Sequence, residues 1–427
     1  MKVALLSDCY LPRLGGIEVQ THDLARHLVA LGHEVEVFTA TPGPEGEMRG
    51  EITVIDGIPV HRLAIRLPWE LPVNPLAPRE LRRRLTGGGF DVAHVQTGVV
   101  SPFAWDSTRV TIGMGLPTAM TWHCMLGPVA PGFGAVGFVK RWAAKGVAMS
   151  AVSAVAAAPL RELVGPSASV SVLPNGIDVA RWRLPPSGPT PTTQSSEQES
   201  GPTPTTQSSE QESGPIVVHS IGGERLADRP SLTAQPSEQE MPLRLVTAMR
   251  LAARKRPRAL VKLVARAEQL AGRGSFSLTV LGEGPDRGKV ESHLADEGIG
   301  WVSLPGRVSR EELRARYAAA DVYVSPSALE SFGIAALEAR TAGLPVVGRS
   351  GSGIGEFVTH GQGGLIVPDD AAMAGALAGL AVDRDRLAAM RRWNLEHPPE
   401  QDWPHVAALA LAEYERAIEL STAPGRR

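Results

Sequence analysis

The sequence predicts an α/β protein of two facing, doubly wound domains with a cleft between them. Three observations predict it. Short apolar runs alternate with helical spacing from the first residues onward, the same alternation restarts at Leu243, and a polar stretch rich in Pro, Thr, Ser, Gln and Glu separates the two series. A chain of 427 residues also exceeds what one hydrophobic core usually organises. With 43% hydrophobic and 21% charged residues, the composition is that of an ordinary globular protein.

Val3 to Leu6 is apolar, Gly15 and Gly16 punctuate, and Leu24, Leu28 and Leu31 recur at helical spacing before Gly32 stops the helix. Val35 to Phe38 reads as a second strand, and a connection of that length implies a parallel pair. Further strands are expected at Asp91 to Val95, Thr118 to Trp122, Ala148 to Val152 and Val170 to Leu173, which gives a first domain over residues 1–183. Residues 184–241 hold few large apolar side chains and are expected to be a disordered insert or linker. Within them GPTPTTQSSEQES at Gly188–Ser200 repeats letter for letter at Gly201–Ser213. The unit lacks the apolar face that stacked repeats need, so it reads as an inert spacer, with a regulatory or docking role as the other reading.

A second alternating series fills residues 242–400. Strands are expected at Leu243 to Thr247, Phe276 to Leu281, Val322 to Val324 and Pro345 to Val347, and helices at Arg258 to Leu270, Glu311 to Ala319 and Gly333 to Arg340. Residues 401–427 close the chain with a helix over Asp402 to Leu420, whose Val406, Leu409, Leu411 and Ile418 form a stripe that must be buried on one of the domains.

Lys plus Arg at 43 against Asp plus Glu at 45 leave a formal charge of -2, which offers no global drive toward nucleic acid or anionic membrane. Cys9 and Cys124 cannot build a disulfide framework or a zinc pair, so a reducing compartment is expected. The apolar run Met1 to Leu6 is too brief for a signal sequence or a membrane span, and a cytoplasmic location follows.

Chemistry concentrates in DVYVSPSALESFGIAALEARTAGLPVV, Asp321 to Val347. A strand leads through a Ser/Pro loop into a helix, with Glu330 in the loop and Glu338 on the helix. Between them the amides around Ser331, Phe332 and Gly333 form a helix N-terminus, a ready site for phosphate. Carboxylate, amide cluster, carboxylate suits a sugar, a diphosphate and a ribose; the plain alternative is a capping Glu330 and a solvated Glu338. Arg250 and Lys255 follow the Leu243 to Thr247 strand, where cations face the ligand crevice of such folds and could neutralise a diphosphate. Arg254, Arg256 and Arg258 thicken this cluster, but no aromatic residues stand nearby to stack bases, which disfavours nucleic acid. Gly15 and Gly16 let a backbone approach a phosphate, yet neither they nor Gly282 and Gly284 complete a dinucleotide fingerprint. His123 follows the run ending at Trp122 and would face the cleft, or serve as a structural histidine.

Together these segments resemble the family-4 retaining glycosyltransferases, whose two-Rossmann arrangement is called the GT-B fold. The likeness rests on GGIEVQTHDLARHLVALGHEVEV, on TWH around His123, on LPNGID at Leu173 to Asp178, on Arg250 and Lys255, on GEGP and on ESFGIAALE. The resemblance implies that Glu330 contacts donor-sugar hydroxyls near the reacting carbon and that His123 sits beside that sugar. It implies that Glu338 holds the ribose, and that Arg250 and Lys255 bind the diphosphate with amides of Ser331, Phe332 and Gly333 and with Gly16. It further implies a UDP- or GDP-linked sugar donor, no cofactor, no metal, and retention of configuration with the leaving phosphate helping to deprotonate the acceptor. Two positions depart from the family pattern: Met249 stands where glycine commonly precedes the arginine, and Arg256 replaces the glycine after the lysine.

Two other classes stay open: a scaffold that binds sugar nucleotides without turnover, and a GT-B nucleotide-sugar epimerase. The acceptor is either a lipid or a small soluble molecule. Arg79, Arg82, Arg83 and Arg84, near Leu67, Trp69 and Leu71, read as a solvated helix face or as a patch for peripheral contact with the inner face of a membrane.

Overall fold

The computed structural model describes residues 1–65, 74–127, 130–166, 168–184 and 241–423. The tandem repeat at 188–213 and Leu67, Trp69 and Leu71 lie outside the described residues. Residues 1–184 and 242–427 form one compact unit.

Its first half runs β1 (Lys2–Ser7), α1 (Gly16–Ala30), β2 (Glu34–Thr39), β3 (Glu51–Ile55), β4 (Ile58–Arg62), α2 (Ala77–Gly88), β5 (Val92–Thr97), α3 (Pro102–Met114), β6 (Thr118–Trp122), α4 (Ala130–Val136), α5 (Phe138–Ala144), β7 (Ala148–Ala151), α6 (Ala154–Val164), β8 (Val170–Val172) and α7 (Val179–Trp182). Among the described residues these strands form one sheet in the order β3-β4-β2-β1-β5-β6-β7-β8. All neighbours are parallel except the β3–β4 hairpin. Apolar runs alone do not reveal that hairpin, because β3 is an edge strand whose Ile52 and Val54 stay exposed. The legible signal is its Asp56-Gly57 turn, both residues at positive φ.

The second half runs β9 (Leu243–Ala248), α8 (Pro257–Ala271), β10 (Phe276–Leu281), α9 (Arg287–Asp296), β11 (Val302–Gly306), α10 (Arg310–Ala318), β12 (Val322–Val324), α11 (Ile334–Thr341), β13 (Val346–Arg349), β14 (Gly364–Val367), α12 (Asp370–Val382), α13 (Arg384–Glu396) and α14 (Trp403–Thr422). Its sheet is wholly parallel, ordered β11-β10-β9-β12-β13-β14. Strands buried on both faces by helices read as mostly apolar runs, which is why β1 and β12 stand out in the sequence, while β5 and β9 are interrupted by His94, Gln96 and Arg244. The expected elements fall within a residue or two of the observed ones.

Strand order reverses between β1 and β5 in one sheet and between β9 and β12 in the other. In open parallel sheets the crevice outside the carboxyl ends of such strands binds ligands. The last helix does not stay with the second half. Helix α14 packs across the first, where Trp403, Val406, Ala410, Tyr414 and Ala417 join a core with Val3, Leu5, Leu24 and Leu28. Its buried stripe is therefore built on Trp403, Val406, alanines and Tyr414; of the expected stripe Val406 is buried, and Leu409, Leu411 and Ile418 are half-buried. No helix among the described residues is long and apolar enough to cross a membrane.

Candidate active site

The loop between β12 and α11 is the hub. Glu330 pairs with Lys255, which sits in the turn after β9, so the two residues assigned to different parts of a ligand form one ion pair. Gly333, at φ 96, caps α11, and a Cβ placed on it would lie 3.4 Å from Glu330 Cγ and 2.9 Å from Ile354. Only glycine suits that position. The amides of Phe332 and Gly333 donate to no protein acceptor among the described residues. The Phe332 ring itself belongs to the core, against Phe357.

Two helix N-termini converge here. A Cβ on Gly16 would lie 3.3 Å from Ile334 Cδ1, so the first residue of α1 abuts the first residue of α11. Both helix ends carry partial positive charge, a fit for an anionic ligand. The neighbouring Gly15 has a different use: a Cβ there would come within 2.4 Å of the Glu18 carboxylate, which folds back over the start of α1 and meets Arg13 at 3.4 Å.

Glu338 lies one turn beyond Ile334, on the α11 face turned toward α1. Burial pushes its carboxyl up to about 8; Arg310 and Arg181 pull it down and Asp23 of α1 pushes it up further. Arg310 bridges to Asp23 at 3.2 Å. Arg250 stands exposed beyond the end of β9, and its side chain has no ion-pair partner among the described residues.

Across the cleft, Ser331 joins the halves twice. Its hydroxyl donates to the His123 carbonyl at 2.8 Å, and its carbonyl accepts from Ser153 Oγ at 2.6 Å. His123 extends past β6 with its amide on the Thr97 carbonyl at 2.9 Å. Its Nε2 meets Gln96 Oε1 at 2.5 Å. Burial drives the imidazole down to about 4, partly offset by a hydrogen bond with Asn175, so it is neutral at physiological pH.

The structure thus brings Gly16, His123, Lys255, Glu330, Ser331, Phe332 and Gly333 together, with Glu338 on the adjoining helix face and Arg250 at the rim. Sequence reasoning missed Gln96, Asn175, Ser153 and Asp8. Gln96 had a faint signal, since His94 and Gln96 are polar residues on one face of an otherwise apolar strand. Asp8 follows β1 and accepts the Phe103 and Ala104 amides at 3.0 and 3.3 Å, tying the end of that strand to α3; burial raises its carboxyl to about 7.

Of the two departures from the family pattern, Arg256 has a physical account, and Met249 meets a neighbouring glycine through its backbone. Gly282, at φ 121, has no side chain, and a Cβ there would sit 2.1 Å from the Met249 carbonyl oxygen, so GEGP closes against Met249. Arg256 adopts φ 59, a conformation that favours glycine, and is held by a bidentate pair with Asp370 at 2.9 and 2.7 Å and by the Pro326 carbonyl at 3.0 Å. The basic patch on α2 is smaller than its sequence suggests. Arg84 turns inward to Glu80, His61 and the Gly50 carbonyl, and Arg83 also meets Glu80.

Two doubly wound halves whose strand ends meet across a cleft, joined by a C-terminal helix that returns to the first, define the GT-B architecture. Residues 14–181 match the model of Glycosyltransferase Family 4, and residues 228–393 match that of Glycosyl transferases group 1. The chain belongs to this glycosyltransferase family. It is 36% identical over 187 residues to the D-inositol 3-phosphate glycosyltransferase of Pseudarthrobacter chlorophenolicus, covering 41% of this chain and 43% of that protein, less than half the length of the relative. It is 25% identical over 422 residues to a GDP-mannose-dependent alpha-mannosyltransferase of Mycobacterium tuberculosis, covering 97% and 96%. In fold it is similar to Anabaena HepE in complex with UDP and glucose, with a TM-score of 0.66, 14% identity and coverage of 96% and 98%. Sucrose-phosphate synthase from Thermosynechococcus elongatus gives a TM-score of 0.66 at 18% identity, with coverage of 97% and 98%.

Proposed function

We propose that the chain transfers a hexose from a UDP- or GDP-linked sugar to an acceptor hydroxyl with retention of configuration. The observation that carries this reading is the meeting of two helix N-termini, at Gly16 and Ile334, beside the Lys255–Glu330 pair. A diphosphate takes the unpaired amides of Phe332 and Gly333 together with Lys255 and Arg250. Its arrival frees Glu330 from Lys255 to bind sugar hydroxyls, while Glu338 accepts the ribose hydroxyls. Lys255 and Arg250 then stabilise the charge that grows on the departing nucleoside diphosphate. Burial that lowers the His123 imidazole to about 4 makes it a weak proton acceptor, which agrees with the leaving phosphate taking the acceptor proton.

The names of the relatives support a GDP-mannose donor and an inositol-containing acceptor, soluble or lipid-linked. Calorimetric titration with UDP-, GDP- and ADP-sugars in the absence of metal tests the reading. Selective binding that weakens in Arg250→Ala is expected, and no binding of any nucleotide sugar would overturn it.

A further inference from the structure

His123 is the end of a buried hydrogen-bonded chain that reaches the last helix of the protein. Its Nε2 meets the Gln96 amide oxygen, an acceptor only, so Nε2 carries the hydrogen and Nδ1 the lone pair. The Gln96 amide nitrogen lies 3.1 and 3.2 Å from the ring nitrogens of His94. Those nitrogens in turn meet the Tyr414 hydroxyl of α14 at 2.9 Å and Thr121 Oγ1 at 2.7 Å, and Thr121 continues to Ser150 Oγ at 2.9 Å. His94, Gln96, Thr121, Ser150 and Tyr414 are all buried. Fully enclosed polar groups are stable only when paired, so this chain has little freedom to rearrange.

A cavity of about 20 Å³, room for roughly one water, adjoins the imidazole; His123 itself lines it with Gln96 and Asn175, and Leu24, Leu173 and Trp403 give it a largely apolar wall. The imidazole therefore has a small space to shift into if its bond to Gln96 is lost and Asn175 is its remaining partner.

We propose that Gln96 is a positioning residue that fixes His123 as its Nε2–H tautomer and holds the ring out of this cavity, with Tyr414 completing the support from the C-terminal helix. This rests on the reading that His123 borders the donor sugar. The donor loop meets the same residue through its backbone, because Ser331 hangs from the His123 carbonyl. Helix α14 then links the end of the polypeptide to the cleft, so the return of that helix to the first half has a consequence for the site as well as for stability.

The test uses full-length protein labelled with nitrogen-15 in histidine, with ring tautomers read by NMR. Calorimetric affinity for GDP-mannose and UDP-glucose and release of nucleoside diphosphate from each are measured in parallel. Wild-type His123 is expected to show one Nε2–H tautomer. Gln96→Met keeps the volume but removes the acceptor; it should give mixed tautomers and slow release on the order of ten-fold, with donor affinity changed less than about two-fold, as expected when a group is misplaced rather than removed. Gln96→Glu restores an acceptor oxygen at the same reach and should restore the Nε2–H tautomer. Tyr414→Phe should act in the same direction with a smaller effect. An Nδ1–H tautomer in wild type, or a Gln96→Met protein with unchanged tautomer and unchanged release, overturns the proposal. His123→Ala separates the two levels of the argument: undiminished release in that variant removes His123 from the sugar site, while the tautomer spectra still decide whether Gln96 positions it.

Discussion

At the edge of the cleft formed by the second sheet, the assigned side chains are ionisable: Arg250 is exposed, Lys255 is paired with Glu330, and Glu338 is held among Arg310, Arg181 and Asp23. At the edge formed by the first sheet they are neutral and locked: His123 with Gln96 and Asn175, His94 with Tyr414 and Thr121. A diphosphate needs charges that can release their own partners when the ligand arrives. A reacting sugar needs groups that stay still. The difference between the two edges therefore separates gripping from positioning, and each of the following experiments presses on one side of that division.

The largest effect is expected from Glu330→Gln. The carboxylate joins the gripping edge to the sugar, and removing one charged contact made in the transition state costs on the order of 100-fold or more in turnover. Nucleoside diphosphate affinity should change far less than turnover, and upward if at all, because Lys255 no longer has to leave an ion pair to meet the diphosphate. Steady-state transfer together with titration of UDP and GDP checks this, and unchanged turnover would take Glu330 out of the site.

Next come the cations. Arg250→Ala and Lys255→Ala should each weaken donor binding by about 10- to 100-fold, the size of a charged hydrogen bond lost from a partly desolvated site. Lys255→Ala also leaves Glu330 without its counter-charge, whereas Arg250→Ala disturbs no ion pair. The two variants should therefore differ in thermal stability as well as affinity, with Arg250→Ala the milder in melting temperature. Equal melting temperatures would mean that the Lys255–Glu330 pair contributes nothing to the fold.

A smaller effect concerns pH. Burial holds Glu338 protonated up to about pH 8 in the donor-free protein, and a carboxylate accepts ribose hydroxyls better than a carboxylic acid does. Donor binding should therefore release a proton, and affinity should rise with pH toward about 8 by at most roughly ten-fold per unit, then level off. The linkage has the opposite sign for the empty protein. Its folded state binds more protons than the unfolded chain between the ordinary carboxyl range and about pH 8, so stability from this group is lost as pH rises through that window. Glu338→Gln should flatten both dependences. Titrations in buffers of different ionisation enthalpy measure the proton directly, and a pH-independent wild type would break the assignment.

The gripping edge was legible in the sequence because charge at the end of an apolar strand has no structural excuse. Arg250, Lys255, Glu330 and Glu338 stand out against VTAM and VYVSPS without any knowledge of neighbours. The positioning edge was far less legible. Gln96, Asn175 and Ser153 are ordinary polar residues whose role depends on what folds against them, and Tyr414 lies more than 300 positions from His94. No local periodicity encodes such a pairing. The ion pair between Lys255 and Glu330 was hidden for the same reason, as was the split use of Gly15 and Gly16, one for Glu18 and one for α11. Periodicity did reveal both sheets, because parallel strands covered on both faces are apolar over most of their length.

The smallest effect is expected from deleting Gly188–Ser213, which tests whether the division into two edges needs anything from the insert. The repeated unit offers no apolar surface with which to pack on either half, and its residues are Pro, Thr, Ser, Gln, Glu and Gly only. Residues 184–187 and 214–241 would still connect the halves. Shortening a connection by nearly half changes the entropy of closing it by only about 0.5 kcal/mol, in the stabilising direction. Melting temperature should thus hold or rise slightly, and turnover and donor affinity should stay within about two-fold of wild type. A larger loss of turnover with intact melting would mean that the repeat reaches the cleft and belongs to one of its edges, whereas a loss of folding would give it a structural role that its composition does not suggest.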